Sequence, residues 1–341
     1  MSCLRGIAIS HDLDGLATAL GPRVRRDEPL ARYTAMRIGG PADLLVACES
    51  VDEVAGAVRL AHQHDVPWLL LGGGCNVLVA DTGVRGLVIV NRAVRIDFDG
   101  LVARAEAGAL LAVLAREAVE RGLVGLEWAA GLPGSVGGAV VGNAGAFEGD
   151  VAGVLQSATV LGPDGQVVER LNEWFEFDYR SSRIKRQDAG CRMQDAGCTK
   201  YTTRNTQHVT RNTQHVTRNT QHAAHVVLVA TFGLQPGDAR ALATRAGEIL
   251  EWRRTRHPAG ATMGSTFKNP PGSHAGYLIE QAGLRGTRIG GAQISELHGN
   301  FFMNTGTATA ADVLALIEHA RAEVLRQFGV ELELEIELVG W

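Results

Sequence analysis

Apolar residues recur along this 341-residue chain with two different periods, and the places where one period gives way to the other predict its elements. Asp43 to Ala47 reads as a strand, and the Ser50-Val51-Asp52-Glu53 that follows is a capping box. In it the serine hydroxyl and the glutamate carboxylate each satisfy a backbone N–H that a helix start leaves without a partner. Val51, Val54, Val58 and Ala61 then recur at helical spacing and share one face. Strands at 66–71, near 76–80 and at 86–90 complete a small α+β unit. A second unit is expected over 91–232, with a helix at 109–121 and strands around 157–161 and 226–232. A third opens near Gly237 with a helix over 239–254. Thr309 caps a last helix that presents Val313, Ile317, Ala320, Val324 and Phe328 on one face, and Gly329 ends it. The closing VELELEIELVG alternates strictly and predicts a strand over 330–341. That strand sets Glu331, Glu333, Glu335 and Glu337 on one face and Val330, Leu332, Leu334, Ile336 and Leu338 on the other. Four carboxylates so arranged are ordinarily a solvated face. Residues 1–26 lack clear periodicity and are expected to form a loosely attached leader.

Between Lys185 and Val226 the periodic pattern stops. QDAGCRM and QDAGCTK are followed by RNTQHVT, RNTQHVT and RNTQHAA, units of seven residues that tandem copying of a short DNA segment explains most simply. These repeats hold too few apolar side chains to offset their ordering entropy, so a disordered loop is expected at about 187–222. A coiled coil would need two apolar positions in each heptad. His208, His215 and His222 would need a helix to stack as metal ligands, and Thr and Asn are poor helix formers, so no metal is expected.

Composition narrows the class without naming it. Hydrophobic residues make up 45% and charged residues 21%, ordinary for a globular chain, and the length allows two or three domains. A net charge of −4 offers no basic surplus for nucleic acid or an anionic membrane, so any anionic ligand must be held locally. No charge-free apolar run marks a signal peptide or a spanning helix, and a cytoplasmic protein is expected. Five cysteines with no C-x-x-C pair argue against a disulfide framework and a structural zinc site.

Glycine carries the candidate chemistry. Gly72-Gly73-Gly74-Cys75-Asn76 lies between two strand-like runs, and GLEWAAGLPGSVGGAVVGNAGAFEG spans Gly125 to Gly149. Without Cβ, glycine lets backbone N–H groups approach a phosphate and adopts positive φ freely. Tight turns between strands are the competing reading of either cluster alone, and two clusters at strand ends favour one extended anionic ligand. Neither is a Rossmann fingerprint, since Val77 stands where the third glycine belongs and a strand follows, and no Walker loop is present.

Six segments, in order, resemble the UDP-N-acetylenolpyruvoylglucosamine reductase family. They are YTAMRIGGPADLLV (33–46), LLGGGCNVLVADTGVRGLVI (70–89), the glycine-rich 125–149, FDYRSSRIK (177–185), GSTFKNPPGSHAGYLIEQAGLRGTRIGGAQIS (264–295) and HGNFFMNTGTATAADV (298–313). The resemblance covers nearly all of the chain from about Arg26 onward except the repeats. It implies an α+β protein with an FAD-binding fold of the PCMH/vanillyl-alcohol-oxidase type, built as subdomains at 27–90 and 91–232. A substrate-binding domain at 237–329 and a C-terminal strand at 330–341 complete it. No tyrosine lies between 232 and Ser265, which matches the shorter branch of the family, without a tyrosine-bearing lid loop.

The implied activity is NADPH-dependent, FAD-mediated reduction of the enolpyruvyl ether of a UDP-sugar to UDP-N-acetylmuramate, by a monomer or weak oligomer. Arg180 matches the family position that stabilises the developing negative charge, Ser265 the proton donor, and Glu335 the acidic residue five before a glycine in the final strand. Carried over as substrate-binding are Lys268, Asn269, Arg254 and His298; Arg254 stands with Arg253 and His257 as a weaker candidate in the segment before Lys268, and Asn300 joins His298 as a candidate to line the pocket. Carried over for noncovalent FAD are Thr34, Gly39, Gly40, Gly72, Gly73, Gly74, Cys75 and Asn76, whose turn would hold the pyrophosphate. Gly131, Gly134, Ser135, Gly137, Gly138, Asn143, Ala144 and Gly145 would pack along the rest of the cofactor. Another flavoprotein oxidase of the same fold, and a flavin binder impaired by the insertion, are the competing readings. The serine, arginine and glutamate together favour the reductase over both.

Overall fold

The computed structural model describes residues 12–187 and 225–341. The expectations for the extreme N terminus and for all but the first residue of the repeat loop lie outside the described residues.

The first unit is built on a four-stranded sheet. Its strands are β1 (Arg25–Pro29), β2 (Pro41–Cys48), β3 (Trp68–Leu71) and β5 (Val84–Asn91), in the order β1-β2-β5-β3. β2, β5 and β3 run parallel, with helix α2 (Val51–Gln63) as the crossover from β2 to β3, whereas β1 is antiparallel to β2. Ser50 Oγ accepts the Glu53 N–H at 3.2 Å, while the Glu53 carboxylate accepts the N–H of Glu49 at 2.8 Å, one residue earlier than a strict capping box. Residues 12–26 are not a loose leader. Asp12 caps helix α1 (Leu13–Leu20), whose Leu16 is fully buried with Val54 and Val58 of α2, and Asp12 also meets His64 at 2.8 Å. A two-turn helix with one fully buried position leaves almost no period to read.

In the second unit β6 (Ile96–Asp99), β7 (Val102–Glu106), β11 (Leu155–Leu161), β12 (Val167–Leu171) and β13 (Val226–Gly233) form an antiparallel sheet ordered β12-β11-β13-β7-β6. Helices α3 (Leu111–Glu120) and α4 (Val136–Gly142) pack on one face. On the other, Leu161, Val226 and Leu228 meet α2, so that helix lies between two sheets. The short pairs β8 (Leu123–Val124) with β14 (Gln235–Pro236), and β9 (Gly145–Ala146) with β10 (Gly149–Asp150), form separate two-stranded ribbons. A helical turn, α5, covers 183–187. Helix α6 (Ala239–Arg256) opens the region expected as the third unit, but it packs on α3 and the 127–129 turn, burying only Leu242 and Ile249. By its packing α6 belongs with the unit before it.

The third sheet, β15 (Ala261–Ser265), β18 (Phe301–Asn304), β17 (Ala292–Ile294) and β16 (Arg288–Ile289), is antiparallel and is covered by α7 (Ala275–Gln281) and α8 (Ala310–Phe328). Val313, Ile317, Ala320 and Val324 of α8 are buried, but Phe328 is 39% exposed, one residue before the left-handed Gly329 cap.

The final strand departs most from expectation. Only β19 (Glu337–Val339) is a strand, parallel to β4 (Val77–Val79). Before it, Leu334 bridges Phe267, the Lys268 N–H donates to Glu333 O at 2.8 Å, and the Glu335 N–H donates to Thr266 O at 2.9 Å. The Glu337 N–H then donates to Asn76 O at 2.9 Å. The chain changes partners at Glu335, leaving the third unit for the first, and that bend breaks the single glutamate face. Glu331 and Glu333 side chains are 80% and 73% exposed, Glu335 only 16%.

Candidate active site

The segment after β15 and the C-terminal segment meet through the Phe267–Leu334 bridge and the Glu335 N–H to Thr266 O bond, which places Ser265 and Glu335 one register step apart. A bulge between Thr262 and Ser265, with Gly264 at φ +76°, turns the end of β15 before Ser265 pairs with Phe301. Asn300 fixes Phe267, two residues beyond Ser265, from both sides: its Oδ1 accepts the Phe267 N–H at 2.9 Å and its Nδ2 donates to Phe267 O at 2.8 Å. This buried clamp explains the asparagine without assigning it to a ligand.

Arg180 reaches Glu335 from the second unit, with Nε 2.9 Å from Oε1 and both side chains largely shielded, at 24% and 16% exposure. The contact is ionic rather than directed, because the Nε–H has no aligned acceptor. Burial pushes the Glu335 carboxyl above the usual carboxylate range, against the opposing charges of Arg180, Lys185 and Lys268. Desolvation wins even with three cations nearby. Arg180 itself has φ +51°, in the left-handed region that side chains other than Gly, Asn and Asp rarely adopt.

Of the four substrate-contact expectations, the structure turns one away. Arg254 is 73% exposed and pairs with Glu251 on the outer surface of α6. Arg253 takes the inner position. Its Nε donates to Ala130 O at 3.0 Å, its guanidinium lies 5.2 Å from the Phe147 ring centroid, and its Nη2 is buried with no acceptor among the described residues. Burial, then the charge of Arg180, lowers its pKa. The signal was in the sequence: 253 continues the 242, 249 stripe of α6, while 254 is rotated about 100° off it. Lys268 contacts Glu333 and is 22% exposed. Asn269 Oδ1 accepts the Ala275 N–H at 3.1 Å at the start of α7. His298 accepts the Asn300 N–H on Nδ1 at 3.1 Å and meets His257 edge-on and Phe301 at a tilt. Burial lowers the pKa of His298 and pushes His257 down to about 4, so both rings are neutral near pH 7 and the cationic charge here is that of Arg180, Arg253 and Lys268.

The glycines leave room for FAD. Gly74 has φ +61°, and a Cβ there would lie 2.1 Å from Tyr33 O; at Gly72 it would lie 2.3 Å from Ser135 Oγ. The two glycine segments therefore touch, as one extended cradle requires. Among the described residues, the N–H groups of Gly73, Gly74, Cys75 and Asn76 donate to no protein acceptor, whereas the first turn of α4 is satisfied internally. There Val136 and Gly137 donate to Ala109 O and Ala107 O, and Gly138 to Ser135 Oγ. Free amides at the first turn suit a pyrophosphate; those at α4 are already spent. Gly134, at φ +120° with open space where a Cβ would stand, and Gly131, at φ +69°, complete the wall.

Several carried-over positions are occupied by the fold itself. Thr34 Oγ1 donates to Ile38 O at 2.8 Å, Gly40 and Gly137 give backbone room to Asp81 and Ala107, and Gly39 packs beside Leu30 and Val79. Cys75, its pKa raised by burial, donates to Gly73 O at 3.2 Å. Ala144 donates to Ala139 O, Gly145 pairs with Asp150, and Asn143 commits its carboxamide to Ala152, Asp150 and Asp178.

A sequence profile described as the FAD binding domain matches residues 42–170, and one described as the UDP-N-acetylenolpyruvoylglucosamine reductase C-terminal domain matches 256–339. A reductase of that name from Rubrobacter xylanophilus is 43% identical over 331 residues, covering 96% of this chain and 99% of the relative. The chain belongs to the UDP-N-acetylenolpyruvoylglucosamine reductase family. A second such reductase, from Symbiobacterium thermophilum, is 41% identical over 93% of this chain and 92% of its own. The crystal structure of the Thermus caldophilus UDP-N-acetylenolpyruvylglucosamine reductase superposes with a TM-score of 0.73 at 32% identity, covering 93% of this chain and 99% of that one. As a UDP-N-acetylenolpyruvoylglucosamine reductase family member the protein is an FAD-containing oxidoreductase, and the expected α+β, FAD-binding architecture holds.

Proposed function

We propose that this chain reduces UDP-N-acetylglucosamine enolpyruvate to UDP-N-acetylmuramate with NADPH, a step of peptidoglycan precursor synthesis, and that Arg180, Ser265 and Glu335 carry the chemistry. The observation that supports the residue roles most directly is the shielded Arg180–Glu335 contact at 2.9 Å, one register step from Ser265. When bound, FAD supplies a two-electron relay, accepting a hydride from NADPH and giving one to the terminal carbon of the enolpyruvyl double bond. The free amides of Gly73 to Asn76 would hold its pyrophosphate, and Gly131, Gly134 and Ser135 would line the rest of the cofactor.

Hydride addition leaves negative charge at the neighbouring substrate carbon, delocalised onto its carboxylate. The Arg180 guanidinium stays charged at any working pH and stabilises that carboxylate, by up to several kcal/mol in a water-poor site. The Ser265 hydroxyl donates the proton to the carbon. A serine is a weak acid, but the acceptor is strongly basic, so placement at the end of β15 matters more than acidity. Glu335 polarises the serine side of the site or orients the water that restores its proton. Arg253, with its buried unpartnered Nη2, and Lys268 supply charge for the diphosphate. NADPH and UDP-sugars are cytoplasmic metabolites, and the site is assembled within one chain; both support a cytoplasmic enzyme acting as a monomer or weak oligomer.

Ser265→Ala tests the assignment. The variant should keep its flavin and bleach with NADPH within about twofold of the parent rate, while reoxidation by the enolpyruvyl sugar falls by about 10²-fold or more, the usual scale for losing a positioned proton donor. Equal losses in both half-reactions would remove Ser265 from the role of proton donor.

A further inference from the structure

We infer that Asn143 is a positioning residue for Arg180, holding the arginine loop in its left-handed conformation rather than contacting the cofactor. The inference rests on the proposed role of Arg180. Asn143 follows the last turn of α4 at φ +42° and is 6% exposed. Its Oδ1 accepts the Ala152 N–H at 3.0 Å, and its Nδ2 donates to Asp178 O at 3.1 Å and lies 3.4 Å from Asp150 Oδ2. Both N–H donors of the carboxamide and one lone pair of its oxygen are thus engaged within the protein.

Asp178 O joins Asn143 to the arginine turn. The same carbonyl accepts the Ser181 N–H at 3.0 Å, while the Asp178 N–H donates to Ser181 O at 3.1 Å, so residues 178–181 form a turn closed at its base. Arg180 sits inside it at φ +51°, a conformation that persists only where surrounding bonds over-determine it. One such bond is the Asn143 amide. A second anchor, Ser182 Oγ to Val141 O at 2.7 Å, ends on the same turn of α4. The glycine-rich helix therefore faces the flavin cradle with its capped N-terminal end, where Ser135 meets Gly72, and sets the arginine with its C-terminal end. Losing the amide lets Arg180 relax toward negative φ, which swings its side chain away from Glu335.

Asn143→Gly keeps the left-handed backbone and removes the carboxamide. Asn143→Asp retains the acceptor for Ala152, removes the donor to Asp178 O and to Asp150 Oδ2, and sets a second carboxylate beside Asp150, so it loosens the 178–181 turn more strongly than Asn143→Gly. Three readouts decide the case: flavin content with NADPH bleaching, reoxidation by UDP-N-acetylglucosamine enolpyruvate, and hydrogen exchange of the Asp178 and Ser181 amides in the flavin-loaded protein. Both variants should retain flavin and bleach within about twofold of the parent, and reoxidise about tenfold or more slowly. They should also exchange faster at 178–181 with α4 unchanged. Adding Arg180→Ala to Asn143→Gly should cost no more than Arg180→Ala alone, because both act through one group. Unchanged exchange at 178–181, additive losses, or loss of flavin would overturn the inference. Should the parent enzyme itself fail to reoxidise with the enolpyruvyl sugar, the functional reading falls, and the exchange result alone judges whether Asn143 holds the loop.

Discussion

Glu335 keeps a carboxylate where burial works against its charge. Its pKa is raised above the ordinary value of 4.5, so the folded protein binds its proton more tightly than the unfolded chain does. The stability this group contributes is present below pH 4.5 and is lost as pH rises through the folded pKa, which makes the ionised carboxylate a cost at neutral pH. Glu335→Gln should therefore melt higher than the parent at pH 7.5, with the difference shrinking toward pH 4, while enolpyruvyl reduction falls. A lower melting temperature at pH 7.5 would mean that the Arg180 contact outweighs desolvation. Arg253 and Arg254 test the same distinction between buried and exposed charge. Arg253→Met should raise KM for the UDP-sugar by about 10–100-fold, the loss of one or two charge-assisted bonds at roughly 1.5–3 kcal/mol. Arg254→Met removes only an exposed pair with Glu251, worth about 0–1 kcal/mol, and should leave KM within twofold. The reverse ranking, read from steady-state kinetics, would return Arg254 to the site.

At the scale of elements, the glycines separate into those the fold needs and those a ligand needs. Gly74→Ala forces a Cβ to 2.1 Å from Tyr33 O at φ +61°, so it should destabilise the protein by about 1–3 kcal/mol and strip the flavin. Gly138→Ala meets only Ser135 Oγ at 3.5 Å within a helix, where Ala is favoured over Gly by about 1 kcal/mol. Its apo-protein should melt at or above the parent, so any fall in flavin affinity measured by titration would come from contact with the cofactor. Elements with a long, one-sided period were readable: α2 and α8 lie within a few residues of expectation, ending where the Ser50, Thr309 and Gly329 caps place them. α1 and α4 were not. One has a single fully buried residue, and the other hides a helix in glycines that sequence reasoning assigns to turns. The closing alternation misled for another reason: period 2 reports that side chains alternate, not that one partner strand runs alongside throughout.

Over the whole molecule, the units are fastened where the site lies. Leu78, Met36 and Ile38 of the first unit share a core with α8 and Phe267 of the third, and Asp81 accepts the Ala310 and Ala311 N–H groups at 2.8 and 3.0 Å across that boundary. The C-terminal segment stitches both together at Glu335, and the second unit delivers Arg180 to the seam. The proposed trio was legible through motifs, because each residue sits in a short local signature. The geometry that joins them was not, since it depends on pairings between residues as far apart as Asn76 and Glu337, which no local pattern encodes. Arg253 needed the packing of α6 to tell it from its neighbour. The proposed transfer of electrons by one chain from NADPH to an enolpyruvyl sugar is tested by an anaerobic visible spectrum of the purified protein in two additions. NADPH should bleach a flavin band, and UDP-N-acetylglucosamine enolpyruvate should restore it without oxygen. A flavin that stays bleached until air is admitted would contradict the account.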